Sequence, residues 1–317
     1  MTSPKLTVLS FGAGQDSTAL AVLLATDRDF RRRVAGAGDI LAVMSETGNE
    51  FPETLEHVET MRDYFRKHGI PFYYLGTRDG YHTGTWRDGL EGFYAAHDTI
   101  GSKAFPKTCS VRLKTAPIGN FLEQLVAREY GVPNPGRKKS LYAFTERFKT
   151  KLRVVLGMAK GEEKRCAARA LSLFPMPEKN NEPAWLQRNY ERVYPLIDLG
   201  IDRAAAQQII ADKAPFPVPI PSNCMMCPFA SDAEVAYVDR RFPDVAERWC
   251  AYEERKLAKN AGQARNLGVD GKLTRDGRPV TLREHVIPRA RAAYQTHSEA
   301  DLARIRFSHG HSTASAM

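Results

Sequence analysis

A short strand that runs into a glycine turn and then a helix constrains this fold more than any other segment. Residues 6–11 are mainly apolar and of strand length, residues 12–14 read Gly-Ala-Gly, and residues 18–26 have a helical pattern. Backbone N–H groups in a tight glycine turn can bind an anion, and the dipole of the following helix adds positive potential. The Ser17 hydroxyl can donate one more hydrogen bond. The segment therefore predicts a phosphate site at the end of the first strand.

Two familiar phosphate-binding loops are excluded by the spacing of this segment. A Walker A loop would end in Gly-Lys-Ser or Gly-Lys-Thr, which the segment lacks. The dinucleotide fingerprint needs a third glycine after Gly12 and Gly14, and Ser17 stands at that position. A glycine turn can also be purely structural, so other segments must decide the function.

Strands and helices alternate along the first half of the chain. Further strand-like runs lie at residues 40–44, 72–75 and 153–156, and helical patterns cover residues 54–67 and 114–130. A strand, a helix and another strand in repeated succession form parallel pairs with helices on both faces. The sequence therefore predicts an α/β fold with a doubly wound parallel sheet.

The pattern changes after the fourth strand. Proline-rich stretches flank a predicted helix at residues 202–213, and residues 231–262 read as one or two further helices. We therefore expect a nucleotide-binding domain over residues 1–200 and a smaller, mainly helical region over residues 201–317.

Charge and cysteine content narrow the class of function. The chain has 317 residues and a formal net charge of +9, which favours polyanionic partners such as a nucleic acid or a nucleotide. No stretch approaches the roughly 18 apolar residues that a membrane helix needs, and no secretory signal is visible, so a cytoplasmic protein without a membrane partner is expected. Five cysteines argue against a disulfide framework and for free thiols, a metal site or redox chemistry.

The glycine turn resembles the PP-loop, Ser-Gly-Gly-x-Asp-Ser, of ATP pyrophosphatases and of the phosphoadenosine phosphosulfate (PAPS) reductase superfamily. Gly12 stands where the family has Ser, and Ala13 stands where it has the first Gly. The resemblance implies an adenine nucleotide alpha hydrolase-like, Rossmann-like fold. It also implies that ATP is split between its α and β phosphates, with Mg²⁺ held mainly by phosphates. It assigns nucleotide contacts to Gly12, Ala13, Gly14, Gln15, Asp16 and Ser17, of which Asp16 and Ser17 are the expected catalytic residues.

Two later segments resemble the same superfamily. Residues 45–54 are similar to its Asp-Thr-Gly-x-x-x-Pro-Glu-Thr segment, which places Glu46, Thr47 and Gly48 at the nucleotide, with Glu46 in place of the usual Asp. Residues 108–117 resemble its Cys-x-x-x-x-Lys-x-x-Pro segment, in which basic residues face phosphates or an anionic substrate. Arg112 is thus a nucleotide contact and Lys114 a catalytic candidate, although both can also be ordinary solvated charges.

A fourth segment, residues 157–166, resembles the Gly-x-Arg-x-x-Glu-Ser-x-x-Arg loop of the superfamily. The resemblance places Arg165 at a phosphate or at the substrate, as a further catalytic candidate. Residues 193–198 then resemble the Pro-Leu-x-Asp segment that leads into a helix.

The sequence Cys224-Met-Met-Cys227-Pro has a spacing that lets two thiolates reach one metal centre. Cys109 is the preferred third ligand, because its motif is expected at the nucleotide. Family members that resemble the DNA phosphorothioation sulfurtransferase hold a [4Fe-4S] cluster beside the PP-loop, and the fourth ligand here would be Cys166, Cys250 or an exchangeable sulfur species. A four-ligand Zn²⁺ site and reduced structural cysteines stay open as alternatives.

The leading hypothesis from the resemblance is an enzyme that binds ATP and adenylates a site on a nucleic acid (DNA or tRNA), with release of pyrophosphate. The enzyme would then transfer sulfur to the adenylated site. A sulfur-donor protein would be a further partner. Basic residues 137–153, with Tyr142, Phe144 and Phe148 between them, would grip the phosphate backbone and stack bases. The same segment can also be a solvated insertion.

Two other functions stay open from the sequence. A sulfonucleotide reductase, acting on PAPS or adenylylsulfate, uses a cysteine in its tail, whereas residues 251–317 contain none. A nucleotide-binding or nucleic-acid-binding subunit without turnover would be consistent with Gly12 and Ala13 in the PP-loop. The sequence does not decide the oligomeric state.

Overall fold

The computed structural model describes residues 3–105, 108–135, 139–163 and 184–309, and its strands form one five-stranded sheet. The strand order is β3-β2-β1-β4-β5, and every neighbouring pair is parallel. The predicted α/β fold with a doubly wound parallel sheet is confirmed. The strands are β1 (Leu6–Ser10), β2 (Asp39–Ser45), β3 (Phe72–Leu75), β4 (Leu152–Leu156) and β5 (Tyr190–Val193).

Helices follow most strands, as the alternation predicts. Prolines begin several of them, because a helix start needs no N–H from its first residue and the fixed φ of proline suits it. The described helices are α1 (Gln15–Thr26), α2 (Arg28–Ala35), α3 (Pro52–Lys67), α4 (Gly89–His97), α5 (Ala116–Tyr130), α6 (Lys139–Phe148), α7 (Ala184–Asn189), α8 (Pro195–Asp198), α9 (Arg203–Lys213), α10 (Asp232–Arg241), α11 (Pro243–Lys259), α12 (Ile287–Ala293) and α13 (Glu299–His309). None of these helices is long and apolar enough to cross a membrane.

The sheet has a topological switch point between β1 and β4. From β1 the chain winds through β2 to β3 on one side, and it then returns to β4 and β5 on the other. The carboxyl ends of the two central strands lie side by side, with Ser10 paired to Leu156. In open α/β sheets the crevice outside these ends is where ligands bind.

The chain divides into two compact units, each assembled from three segments. The first unit comprises Met1–Ser45, Pro52–Gly76 and Lys114–Pro219, and it contains the whole sheet. The second unit comprises Glu46–Phe51, Thr77–Leu113 and Ile220–Met317.

This division differs from a single boundary at residue 200. Helix α9 packs on α1, where Ala206 and Ile210 are buried with Ala19. That apolar contact draws α9 into the first unit. The second unit in turn takes up two segments from the N-terminal half, because Phe51 and Leu90 are buried in its core with Trp249.

The basic segment after α5 is more ordered than a solvated insertion, because residues 139–148 form helix α6. Leu141 and Phe144 are three residues apart, share one helical face and are buried. The Phe144 ring packs edge-on against Tyr130, at 5.1 Å between centroids. Phe144 therefore cannot stack on a base, and that part of the nucleic-acid prediction is wrong. Phe148 is half-buried against the same rings, whereas Tyr142 is exposed.

Candidate functional site

The glycine turn after β1 is held by its own Ser17. The Gly12 N–H donates to Ser17 Oγ at 3.2 Å, and this hydroxyl donates to the Gly14 carbonyl at 3.1 Å. Gly14 is the N-cap of α1 and supplies no side-chain cap. An uncapped helix start of this kind can receive an anion through its first N–H groups.

Ala13 adopts a left-handed backbone conformation that favours glycine. Its φ is +55°, in the left-handed region that costs an L-residue roughly 1–2 kcal/mol. Its side chain is 1% exposed and belongs to the core of the first unit. Burial of the methyl group offsets part of the strain, so the turn keeps its shape without a glycine at this position.

Gly157, directly after β4, closes on the start of α1. A Cβ atom at this position would lie 2.7 Å from the Ser17 backbone nitrogen and 3.1 Å from the Asp16 carbonyl carbon. Both atoms belong to the backbone and cannot rotate away. Glycine is therefore required here, and it brings the turns that follow β1 and β4 into contact at the switch point.

Arg203 brings a positive charge to the same place. Its Nη2 lies 3.3 Å from Asp16 Oδ2 and 3.2 Å from Glu162 Oε1, and the side chains of Asp16 and Glu162 are each 12% exposed. Arg203 is the first residue of α9, whose N-cap Asp202 accepts the Ala205 N–H at 2.9 Å. Sequence reasoning missed Arg203 because no local pattern links it to Asp16, 187 residues earlier.

The Gln15 side chain is used inside the first unit. Its amide donates to the Pro219 carbonyl at 3.0 Å and accepts from Gln207 Nε2 at 3.0 Å. The side chain thus ties α1 to α9. Arg165 and Cys166 lie outside the described residues.

His57 is a second residue that the sequence did not reveal. His57 Nε2 and Thr18 Oγ1 are 2.9 Å apart, which links α3 to α1 just after the glycine turn. The imidazole packs against Phe11 and Phe216, and burial lowers the pKa of His57 to about 4. The ring is therefore neutral near pH 7 and serves as a buried link rather than as a cation for phosphate.

The loop after β2 belongs to the second unit, and its polar groups are used there. The N–H and Oγ1 of Thr47 donate to Glu50 Oε1 at 2.7 and 2.6 Å, and Thr47 Oγ1 lies 3.1 Å from Cys224 Sγ. The Glu46 carboxylate accepts the Thr77 N–H at 2.9 Å. Gly48 has a φ of +75° and packs against Gly89. Glu46, Thr47 and Gly48 are thus brought together with a cysteine.

Asn49 holds the Cys-x-x-Cys turn in place. Its carbonyl accepts the Met225 N–H at 2.9 Å, and its Oδ1 accepts the Met226 N–H at 2.7 Å. Its Nδ2 donates to Glu91 Oε2 at 3.3 Å, and Glu91 is in turn held by Arg248 at 2.7 Å. Asn49 occupies an unspecified position of the family motif, so its role was invisible from the sequence.

Three cysteine thiols act electrostatically on the buried hydroxyl of Tyr94. Burial raises the pKa of Tyr94, and negative charge on Cys109, Cys227 or Cys224 raises it further. The Tyr94 hydroxyl also accepts the Gly101 N–H at 3.1 Å. The two cysteines of the turn and the cysteine of the residue 108–117 motif therefore share one neighbourhood in the second unit.

Cys250 has different surroundings. Burial raises the pKa of its thiol to about 12, and the charged groups that act on it most are Arg283 and the carboxylates of residues 253, 247 and 254. Burial therefore favours the protonated thiol of Cys250 when no metal is bound. The other three thiols are the kind of ligand that a soft, thiolate-bound metal centre uses. In the described part of the chain, however, no three His, Cys, Asp or Glu side chains already converge as a metal site.

The predicted anion contacts Arg112 and Lys114 are both exposed. They lie on the π-helical turn Val111–Thr115, where the intervening Leu113 is buried. The division into units falls between them, with Arg112 in the second unit and Lys114 in the first. Each can meet an anion from solution.

The first unit is thus an α/β domain. The switch point of its sheet combines a glycine turn, the closely packed Gly157 and the half-buried Arg203. A site with these features belongs to the class that binds anionic ligands. No family model matches the sequence, and no curated protein matches it.

Two solved structures are similar to the chain at low identity. One is the phosphoadenylyl-sulfate (PAPS) reductase from Candida auris, with 14% identity over 68% of this chain and 76% of that chain and a TM-score of 0.35. The other is the U34-tRNA thiolase NcsA from Methanococcus maripaludis with its [4Fe-4S] cluster, with 11% identity over 83% of this chain and 75% of that chain and a TM-score of 0.40.

Proposed function

We propose that the protein is a PP-loop enzyme that binds ATP at the switch point, adenylates a substrate with release of pyrophosphate, and transfers sulfur to a nucleic acid. The observation that carries this proposal is the meeting of three features at the carboxyl ends of β1 and β4. They are the uncapped turn before α1, Gly157 and the Arg203 guanidinium. The substituted Ala13 is compatible with this proposal, because its backbone adopts a left-handed conformation that favours glycine.

The chemistry divides into two displacements. A substrate oxygen attacks the α-phosphorus of ATP, the bond to the bridging oxygen breaks, and its electron pair leaves with pyrophosphate. Sulfur at the level of hydrosulfide then forms a bond to the activated atom, and AMP leaves with the electrons of the broken bond to oxygen. Neither displacement needs an external oxidant or reductant. Mg²⁺, held mainly by the phosphates, would neutralise part of their charge.

Residues at the switch point would bind and orient the nucleotide. The first N–H groups of α1 would hold the pyrophosphate portion, and the Ser17 hydroxyl keeps the turn in shape through Gly12 and Gly14. Arg203 lies close enough to exchange a carboxylate partner for a phosphate oxygen, since it bridges Asp16 and Glu162. Lys114, which is exposed in the same unit, would add positive charge from the surface.

Replacement of Asp16 tests the switch-point site. Asp16→Asn keeps the size of the side chain and removes its charge, and we expect at least about a 100-fold loss of AMP formation from ATP, in the range that loss of a preorganised electrostatic group produces. Ser17→Ala should cause a similar loss by releasing the turn. The matched control is Asp212→Ala, an exposed aspartate on α9 that leaves the rate unchanged. Wild-type AMP formation by both loop variants would rule out this site.

We further propose that Cys109, Cys224 and Cys227 hold an iron–sulfur cluster that takes part in the sulfur step. The support is the packing of Cys109 and Cys224 against the core that contains Tyr94, the electrostatic effect of all three thiols on Tyr94, and the contact of Cys224 with Thr47. A [4Fe-4S] cluster with three protein thiolates would leave one iron position open to an exchangeable sulfur species. When bound, the cluster would supply that coordination position.

Metal analysis after purification without oxygen tests the cysteine site. We expect iron and sulfide in equal amounts in the wild-type protein, and loss of both in Cys227→Ser. The control Cys250→Ser changes a buried thiol with other neighbours and should retain the iron. One zinc per chain in place of iron would contradict the cluster and leave the ATP proposal standing.

A further inference from the structure

An exposed aromatic side chain on α6 is paired with an arginine from α7. The Tyr142 side chain is 43% exposed, although Leu141 and Phe144 of the same helix are buried. The guanidinium carbon of Arg188 lies 5.6 Å from the centre of the Tyr142 ring, within the range of a cation–π contact. Tyr142 therefore adds little to the core and presents a ring, already oriented by a cation, to the solvent.

Further cations lie around this ring. Lys139 is exposed one helical turn before Tyr142, and Lys151 Nζ donates to the Gln187 carbonyl next to Arg188 at 2.8 Å. The carboxylate on this side of α6, Glu146, is already paired with Lys149 at 3.3 Å. We call Lys139, Tyr142, Lys151 and Arg188 the Tyr142 surface. Its charge is positive, and its aromatic ring is accessible.

The Tyr142 surface lies at the amino-terminal edge of the sheet. Lys151 directly precedes β4, and Arg188 stands two residues before β5. Gly157 and the switch point are at the opposite edge, one strand length away. Five residues of β4 at about 3.3 Å each separate the two edges by roughly 16 Å. A molecule on the Tyr142 surface is therefore not the nucleotide at the glycine turn.

We propose that the Tyr142 surface docks a nucleic acid, with one unpaired base stacked on the Tyr142 ring and phosphates bound by Lys139, Lys151 and Arg188. A π face accepts any base, and lysine and arginine side chains bind phosphates of the backbone. The net charge of +9 favours the same partner. The inference rests on the proposed function only for the class of partner. The proposal gives the nucleic acid a second contact with the protein, remote from the reacting atoms. This contact holds one strand or loop while another part of the nucleic acid reaches the switch point.

Binding titrations without ATP test the docking surface. Fluorescence anisotropy with a labelled single-stranded RNA, the same sequence as DNA, and a blunt duplex would be recorded at several salt concentrations. Tyr142→Ala should weaken single-strand binding about tenfold, whereas Tyr142→Phe keeps the ring and should bind like the wild type. Lys139→Gln and Arg188→Gln should each lower the slope of log K against log salt by about one. The control, Lys272→Gln with Arg275→Gln, removes two exposed charges from the second unit and should leave the affinity unchanged.

The titrations separate this proposal from the ATP proposal, because they contain no ATP. Equal single-strand affinities for Tyr142→Ala and the wild type would overturn the stacking role. Equal losses in the second-unit control would show that only overall charge matters and would also overturn the docking surface. Duplex binding that depends on Tyr142 as strongly as single-strand binding would exclude an unpaired base. AMP formation, assayed separately on Asp16→Asn, decides the ATP site whatever the titrations show.

Discussion

Two turns in this protein follow strands of the same sheet and differ in the contacts of their side chains. Both contain glycine and follow a strand of the parallel sheet, β1 in one case and β2 in the other. In the turn after β1, Ser17 bonds to Gly12 and Gly14, and the N-cap Gly14 supplies no side-chain cap. In the turn after β2, Thr47 and Asn49 bind Glu50 and the turn at residues 224–227.

The difference shows that a motif match locates a loop without deciding what the loop binds. The first turn keeps a helix start and a nearby arginine that an anion can use. In the second turn, amide, hydroxyl and carboxylate groups bond to protein atoms and hold the turn that carries Cys224 in place. Each prediction below tests one side of this contrast.

Removal of Asn49 should have the largest effect, on the second turn. Asn49→Ala leaves the buried Met226 N–H without its acceptor and removes the partner of Glu91, which costs about 3 kcal/mol in the free energy of unfolding. Cys224 and Cys227 should also react faster with a thiol reagent. Thermal unfolding and thiol labelling measure the two effects. The control Asn260→Ala removes a half-buried amide in the same unit and should lower the free energy of unfolding by less than about 1 kcal/mol. Equal losses of stability in the two variants would contradict the role of Asn49.

Acid should loosen the first turn through His57. The pKa of His57 is about 4 in the folded chain and near 6.5 when unfolded, so below pH 6.5 the unfolded chain binds a proton that the folded chain does not. Stability should therefore fall as the pH falls, by about 2 kcal/mol at pH 5, and the loss is complete below pH 4. Urea unfolding of the wild type and His57→Gln between pH 7.5 and 5 isolates this contribution. Parallel pH curves for the two proteins would contradict it.

Exchange of Ala13 should have the smallest effect. Ala13→Gly relieves the strain of a positive φ and loses a buried methyl group worth about 0.8 kcal/mol, so the two changes nearly cancel. We expect a change in unfolding free energy below about 1 kcal/mol and an unchanged affinity for ATP. Ala13→Val places a β-branched residue at the same φ and should weaken both. ATP titration and thermal unfolding of the pair decide whether the turn depends on backbone shape, as proposed, or on the side chain itself.

Much of the fold could be predicted because its signals are local. The apolar runs at residues 6–11 and 153–156 and the helical pattern of residues 54–67 coincide with β1, β4 and α3. Glycine turns and prolines at helix starts carry their structural preference in their own backbone. The parallel sheet then follows from the alternation of strands and helices.

The partners within the site could not be predicted, because they come from distant parts of the chain. Arg203 reaches Asp16 across 187 residues, and Asn49 reaches Met226 across 177. The aromatic residues of α6 were misjudged for a different reason. Basic neighbours suggested an exposed surface, but the spacing of Leu141 and Phe144 decides which side chains are buried.

The two units alternate along the chain, and this alternation determines the order in which their segments are synthesised on the ribosome. The chain passes between the units five times, and the short segment Glu46–Phe51 is synthesised long before the cysteine turn that it holds. The last strand of the sheet ends at Val193, whereas the second unit resumes only at Ile220. The sheet can therefore assemble while the cysteine-bearing unit is still being translated. A gene shortened before codon 220 would encode the whole first unit. The segment Glu46–Phe51 would then lack the cysteine turn at residues 224–227 that it holds in the full chain.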